Sequence, residues 1–231
     1  MPDAINQYGD QFRPTEGHGV DIASQRQDEL DAASLAFIRE QTGAGKSVTA
    51  IDLGGGYGTH SIHMAEAGAS VTMIDVDDMA SAAFTGAIAE KKIPAKNLTF
   101  VRRDFVDLNE KDLPEKIDLL YSQRAIHYVP YEIAERVLRQ LFNRMSAGAA
   151  VFISAAGYDT EYGKTYPDRG EPVEKRFNFV TPDMQAKHGI LHKIVTYTEG
   201  DMEKLLSSAG FTDIRVSHSA FGNIKAMARK P

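Results

Sequence analysis

The stretch Ala50-Ile51-Asp52-Leu53-Gly54-Gly55-Gly56-Tyr57-Gly58-Thr59 constrains this chain more than any other. The apolar β-formers Val48, Ile51 and Leu53 run directly into alternate glycines at 54, 56 and 58, and a helical pattern then continues through Ile62, Ala65 and Glu66 to Gly68. This reads as a buried strand, a tight turn and the N-terminus of a helix. Glycine lets the backbone reverse sharply and lets a ligand come close to the main chain, and a helix start offers it unpaired N–H groups. The stretch suits a nucleotide-like ligand without saying which one. A plain tight turn would account for one glycine pair, and less readily for three alternate glycines.

The rest of the chain supplies an order around that turn. Residues 1–21 are polar and glycine-rich with Tyr8, Phe12, His18 and Asp21 among them, which fits either a frayed terminus or an arm folded over a site. Ser24-Gln25-Arg26-Gln27 has the form of a capping box, and Leu30, Ala33, Phe37 and Ile38 recur at helical spacing, so a helix is expected to about Gln41. Residues 71–75 read as a second strand ending on Asp75, about twenty residues past the glycine turn, where a nucleotide fold carries its ribose-binding acid. An alanine-rich helix over residues 79–91 leads to a third strand at 98–101, with Asp104 just beyond it. A fourth strand covers 117–121. Pro130 then precedes an amphipathic helix whose face is Ile133, Val137, Leu138, Leu141, Phe142 and Met145, with Gly148 as its expected stop. Residues 151–153 form the fifth strand.

Alternating strands and helices predict a parallel sheet with helices on both faces, and right-handed crossovers gather the strand C-terminal ends on one edge. The glycine turn, Asp75, Asp104 and the segment 122–131 should converge there. Residues 156–195 break the rhythm. They carry Tyr158, Tyr162, Tyr166, Phe177 and Phe179 among mixed charges, and a loop of that length and aromatic content reads as a lid or substrate-binding insertion. Thr198 and Asp201 cap a last helix, and residues 211–217 and 224–228 read as an antiparallel hairpin closing the sheet edge. The expected fold is therefore α/β, doubly wound and seven-stranded, mostly parallel with an antiparallel C-terminal hairpin strand. It comprises one domain over 1–231: an N-terminal arm and helix (1–45), a ligand-binding core (46–155), the lid (156–195) and a C-terminal helix and hairpin (196–231).

Composition removes several classes. The 231 residues contain no cysteine, so there is no disulfide framework, thiolate zinc site or cysteine nucleophile. A reducing cytoplasm is permitted by that and is the expected location, since the N-terminus lacks a basic region followed by an apolar run. No apolar run reaches bilayer length, so no membrane association is expected. The net charge of −6 opposes a broad phosphate-binding surface, and no DNA partner is expected. The histidines show no metal-ligand spacing, although His188 and His192 stand four apart, and no metal is expected.

With these motifs in order, the sequence resembles the class I S-adenosylmethionine-dependent methyltransferases, whose Rossmann-like domain it would cover from about residue 48 to 229. The family's acid–apolar–GxGxG motif stands here as Asp52-Leu53-Gly54-Gly55-Gly56-Tyr57-Gly58. Its second-strand acid matches Asp75, its third-strand acid Asp104 in Arg103-Asp104-Phe105, and its fourth-strand stretch Ile117-Asp118-Leu119-Leu120-Tyr121-Ser122. Its late helix ending in Ala-Gly-Phe matches Glu199 to Phe211.

The resemblance implies S-adenosylmethionine as cofactor. It would be held by Asp52, Gly54, Gly56 and Gly58 around the methionine part and by Asp75 and Val76 at the ribose. Asp104 and Phe105 would serve the adenine, with Ser122 close by. The alternative for Asp75 and Asp104 is that each caps a following helix or turn.

Methyl transfer is an in-line displacement in which the protein aligns the nucleophile and excludes water. A base is needed only for an acceptor that keeps its proton at neutral pH. His127, beside the expected methyl position, is the candidate base, and a packing role is its alternative. Tyr8, His18, Arg124, Tyr128 and Tyr131 are candidate acceptor contacts. Arg169, Lys175 and Arg176 either grip an anionic substrate or form a solvated charged loop.

The Asp/Asn-Pro-Pro-aromatic motif common in methylation of base amino groups is replaced by Ser122-Gln123-Arg124-Ala125, and cytosine-C5 chemistry lacks its cysteine. A small-molecule acceptor methylated on oxygen or nitrogen is the leading reading, with a protein or RNA acceptor as the alternative. A nicotinamide-dependent oxidoreductase would use Asp75 too, but the fingerprint's last glycine falls on Ser61. A catalytically silent cofactor-binding protein is the fourth possibility. The oligomeric state is not legible.

Overall fold

The structure is a computed structural model and describes residues 4–5, 11–15, 17–21, 28–91 and 93–231. Three short strands, β1 (Ala4–Ile5), β2 (Gln11–Pro14) and β3 (Val20–Asp21), form a small antiparallel sheet at the N-terminus. Helix α1 (Glu29–Gly43) follows. Its N-cap is Asp28, whose carboxylate accepts from the N–H groups of Leu30 and Asp31 while Asp31 accepts from Asp28 N–H. The expected cap at Ser24 and Gln27 lies outside the described residues, as does Tyr8; the N-cap of the helix, Asp28, stands four positions after Ser24.

Next come β4 (Val48–Leu53), α2 (Thr59–Glu66), β5 (Ala69–Asp75), α3 (Ser81–Lys91), β6 (Leu98–Arg102), β7 (Ile117–Gln123), α4 (Tyr131–Arg144) and β8 (Met145–Ala155). Residues 156–195, the expected lid, hold α5 (Glu161–Lys164) and α6 (Pro182–His188), and α7 (Glu199–Ala209), β9 (Thr212–His218) and β10 (Ile224–Arg229) follow. The seven large strands lie in the order β6-β5-β4-β7-β8-β10-β9. β4 to β8 pair in parallel, and β10 runs antiparallel to both of its neighbours. The hairpin therefore closes the sheet with its second strand on the inside and β9 on the edge, which is why β10 is mostly buried and β9 mostly exposed.

Alternation along the strands divides the core in two. Val48, Ala50, Val71, Met73, Leu119 and Phe152 face α1, α2 and α3. Ile51, Leu53, Ile74, Leu120, Val151 and Ile153 face α4 and α7. Each Leu, Ile or Val taken from water contributes about 1.5–3 kcal/mol, so two-sided burial holds these strands more firmly than their own propensity does. The capping box at Thr198 and Asp201 and the left-handed Gly210 bound α7 as expected. Gly148 does not stop α4. The helix ends at Arg144, and Gly148 lies inside a longer β8 at φ 78°, its N–H donating to Lys230 O. The register between β7 and β8 shifts at this end of the pair, which accommodates the extra residues.

The segment 156–195 folds on itself. Ala156, Tyr166, Val180, Ile190 and Ile194 make a third, smaller core. The Tyr166 hydroxyl accepts from Asn178 N–H and lies 2.6 Å from Ile194 O. At the root of the lid, backbone meets backbone: a Cβ on Gly157 would lie 2.0 Å from Gly222 O, and one on Gly222 2.1 Å from Asp159 C. Arg169 and Arg176 are parts of this fold, not substrate grips. Arg169 Nη1 donates to the carbonyls of Tyr158 and Gly163. Arg176 is buried and pairs with Asp201 at 2.7 Å while donating to Glu171 O and Thr196 O. Lys175 is exposed.

Candidate active site

A cavity of about 620 Å³ opens at the C-terminal ends of β4 to β7. Its floor is the turn after β4. Gly54 sits at φ 74°, and a Cβ there would lie 2.2 Å from the Ala125 Cβ and 3.2 Å from Phe105, so only glycine fits. Nothing stands within 4 Å of the place a Gly56 Cβ would take, which leaves room beside the main chain. Asp52, Gly54, Gly56, Asp75, Val76, Asp104 and Phe105 all line the cavity.

Asp75 is 8% exposed. One carboxylate oxygen accepts from Gly56 N–H at 2.8 Å and the other from Asp77 N–H at 3.1 Å, which fixes the group's orientation and leaves lone pairs for further donors. Burial raises its pKa, against the pull of those backbone hydrogen bonds. Asp104 combines the two roles weighed from sequence: it lines the cavity and also caps the 3-10 turn Phe105–Asp107 through Val106 N–H at 2.9 Å. Asp52 is buried and receives the Ser61 hydroxyl at 2.6 Å. The residue where a dinucleotide fingerprint wants glycine therefore holds the motif's acid in place.

Three expected contacts stand behind the wall. Gly58 caps α2, and a Cβ on it would lie 2.5 Å from Phe84, so its smallness serves helix packing. Ser122 is fully buried and donates to Leu53 O at 2.8 Å, tying β7 to the strand that launches the turn. Tyr131 lies in the core between α4 and α7 with its ring 6.4 Å from Tyr197. None of the three lines the cavity, because successive residues at a strand end or helix start point to different sides.

The other half of the cavity is roofed by the arm and the lid. Gly19 N–H donates to Gly189 O at 3.0 Å, Leu191 N–H donates to Gly17 O at 2.7 Å, and His18 pairs with Ile190 in an antiparallel bridge. The His18 ring stacks on His192 at 4.3 Å and meets Tyr128 edge-on at 4.8 Å. Tyr162, Phe177 and Phe179 complete the walls, with Leu191 at 57% exposed on the rim. Arg124 also lines the cavity. It is one of two non-glycine residues at positive φ (53°) among the described residues, held there by its N–H to Ser154, a strained backbone of the kind found at functional sites.

His127 is 2% exposed. Its Nδ1 accepts from Ala156 N–H at 3.3 Å. Burial first, then the charges of Arg124 and His18, hold its pKa down to about 3. A neutral imidazole with Nδ1 accepting carries its proton on Nε2, so His127 donates a hydrogen bond; it has no lone pair to serve as the base. The β8-to-lid backbone sets this tautomer, and no sequence pattern reports it.

Sequence reasoning also missed a buried polar cluster under the floor. His60 stacks on Tyr121 at 4.1 Å and lies 2.9 Å from the Ser34 hydroxyl. The Tyr121 hydroxyl donates to Asp31, and Gln123 Nε2 donates to Asp28 at 2.7 Å. Burial raises Asp31 to about 6 and lowers His60 to about 3. His60, Tyr121 and Gln123 reach the cavity. Tyr121 and Asp31 are ninety positions apart, so only the apolar pattern around Tyr121 was visible.

A family model described as "Methyltransferase domain" matches residues 50–148. No curated protein matches the sequence. Among solved structures, the chain is similar to magnesium protoporphyrin IX methyltransferase from Synechocystis PCC 6803 with bound SAH, at 18% identity over 87% of this chain and 83% of that one (TM-score 0.57). It is also similar to a SAM-dependent methyltransferase from Methanosarcina mazei, at 21% identity over 79% and 92% (TM-score 0.56). A third is an O-methyltransferase family protein from Burkholderia thailandensis, at 15% identity over 91% of this chain and 59% of that one (TM-score 0.57). The chain spans little more than half of some of these relatives, 57% and 55% in two further cases. The matched segment, the acids at the ends of successive strands and the sheet order all point to one class of fold. Residues 50–148 match the methyltransferase-domain family, and the sheet order is the fold of the class I S-adenosylmethionine-dependent methyltransferases. The cofactor of that class fits the floor: open space beside Gly56, and a buried carboxylate at Asp75 already oriented by two backbone donors.

Proposed function

We propose that this chain methylates a small-molecule acceptor, on oxygen or nitrogen, inside the roofed half of the cavity. The observation that carries the reading is the division of one cavity into two chemistries. Three carboxylates, Asp52, Asp75 and Asp104, line the floor, while imidazoles, phenols and phenylalanines from the arm, the lid and the segment after β7 line the roof. A roof made from two remote pieces of chain encloses a small acceptor and keeps water from the reaction.

S-adenosylmethionine, when bound, supplies an electrophilic methyl group on a sulfonium. The chain's own residues bind and orient. In this reading Asp75 takes the ribose hydroxyls as a charged acceptor, and Asp104 with the Phe105 backbone serves the adenine edge. The main chain at Gly54 and Gly56 lies along the methionine part, near Asp52. His127 offers its Nε2–H toward the acceptor space, and Tyr128 and Arg124 bound that space. The cytoplasmic location expected from sequence is part of the same reading. Calorimetry with S-adenosylmethionine, S-adenosylhomocysteine and NAD tests it: the two sulfur ligands should bind in the micromolar range and NAD should not. Binding of NAD alone would sink the proposal. A screen in which only folded protein or RNA accepts the methyl group would sink the small-molecule part.

A further inference from the structure

With His127 occupied as a donor, the cavity needs another group if its acceptor carries a proton. We infer that His18, oriented by Asp77, is the general base, and that the acceptor is therefore a nucleophile that keeps its proton at neutral pH, such as a phenol. This rests on the methyltransferase reading above and deepens it.

The geometry is specific. His18 lines the roofed half of the cavity. Its Nδ1 stands 3.8 Å from Asp77 Oδ2, both side chains being only partly exposed. That is a long approach for a hydrogen bond, and catalytic pairs tighten when substrate closes the site. The Asp77 main chain is anchored, its N–H donating to Asp75. The imidazole plane is held by the His192 stack, the Tyr128 edge and the bridge to Ile190. A proton on Nδ1 facing the carboxylate leaves the Nε2 lone pair for the acceptor.

The groups facing His18 come from four directions. Asp77 follows β5, Asp104 follows β6, His127 and Tyr128 follow β7, and His192 comes from the lid. Burial and then the His192 charge lower the His18 pKa, while Asp77 and Asp104 raise it. The ring is neutral at pH 7 and has a carboxylate to stabilise it once protonated.

The acceptor oxygen gives an electron pair to the methyl carbon of the sulfonium donor. The carbon–sulfur pair returns to sulfur as a thioether, and the O–H proton passes to His18 Nε2. The resulting imidazolium, held against Asp77, releases the proton to solvent when the roof opens.

Two measurements decide it. The first is imidazole 15N NMR of the whole chain, alone and with S-adenosylhomocysteine, and it needs no acceptor. Near pH 8, His18 should be neutral with its proton on Nδ1. D77N should lower its pKa by about one unit, since an opposite charge has been removed. An Nε2–H tautomer, or a pKa indifferent to D77N, overturns the assignment. The second is radiolabelled methyl transfer to phenol, catechol, benzoate and benzylamine. A phenol should turn over, and H18Q should slow it by about 10²–10³-fold, abolish the acid limb of the pH–rate profile and leave S-adenosylhomocysteine affinity within about twofold by calorimetry. In D77N the limb should move to lower pH. Full-rate phenol methylation by H18Q, or turnover of benzoate with the phenols ignored, overturns the inference. Should no probe turn over, the NMR result stands as the decision. Failure of the wild-type chain to bind S-adenosylhomocysteine would overturn the methyltransferase reading itself, a separable outcome.

Discussion

The floor and the roof of the cavity are built by different rules. On the floor, Asp75 and Asp104 stand at strand ends, and their hydrogen bonds join neighbouring strand-end turns: Asp75 to Gly56 and Asp77, Asp104 to Val106. The roof is assembled from segments some 170 positions apart, Gly17 to Gly19 against Gly189 to Leu191. The floor is therefore a consequence of the sheet. The roof exists only when the whole chain has folded, and it can change without disturbing what lies below. That separation is how one fold keeps a donor site and varies its acceptor.

The largest test of the separation strikes the floor. Gly54→Val adds atoms 2.2 Å from Ala125 at φ 74°. Overpacking with backbone strain costs about 3 kcal/mol or more, which should lower the melting temperature by roughly 10 °C and abolish S-adenosylhomocysteine binding. Next, Asp75→Asn should weaken that binding by about 100-fold by calorimetry, the loss of a charged acceptor. Thermal stability should be unchanged or slightly higher, since burial already opposes the ionised carboxyl. Unchanged affinity would remove Asp75 from the site.

A third test concerns pH and the groups between the two halves. His60 and His127 are depressed to about 3 in the folded state, so unfolding takes up protons as pH falls below about 6.5. Asp31, raised to about 6, works the other way: between about pH 4 and 6 its unfolding releases a proton. Stability should therefore fall from pH 6 to pH 4, two uptakes being offset by one release. His127→Gln should flatten the slope by about 1 kcal/mol per pH unit, read from urea midpoints at the two pH values; an unaltered slope means that His127 is protonated in the folded state. The smallest effect belongs to the rim. Leu191→Ala, at 57% exposed, should raise acceptor KM by about fivefold through lost apolar contact and leave donor binding alone. A matching loss of donor affinity would show the two halves to be coupled.

The same contrast explains what the sequence disclosed. Strands β4 to β8, the caps of α7 and the acids after β5 and β6 were legible because each rests on a local period or a fixed offset from a glycine. Gly148 misled because a left-handed glycine serves a helix stop and a strand irregularity equally well. Ser122 and Tyr131 lie on segments that border the cavity but face the core, Ser122 because one residue of register reverses a strand side chain and Tyr131 because it opens α4 on the side packed against the core. The His127 tautomer, the Asp31–Tyr121–His60 cluster and the inward turn of Arg169 and Arg176 depend on partners far along the chain. Composition could place those residues nowhere in particular.

The glycines at the root of the lid have a mechanical consequence. Where Gly157 and Gly222 meet, two main chains touch with no room for a side chain, so the lid is clamped to the hairpin turn at that point. It has no hinge there and cannot swing from its base like a door. The weaker seam is the far one, two backbone hydrogen bonds and an imidazole stack between the arm and the lid. Traffic through the site should run along that seam, where residues 17–19 meet residues 189–192. A crosslink from position 18 to position 192 would then trap an occupied cavity more effectively than one across the lid's base.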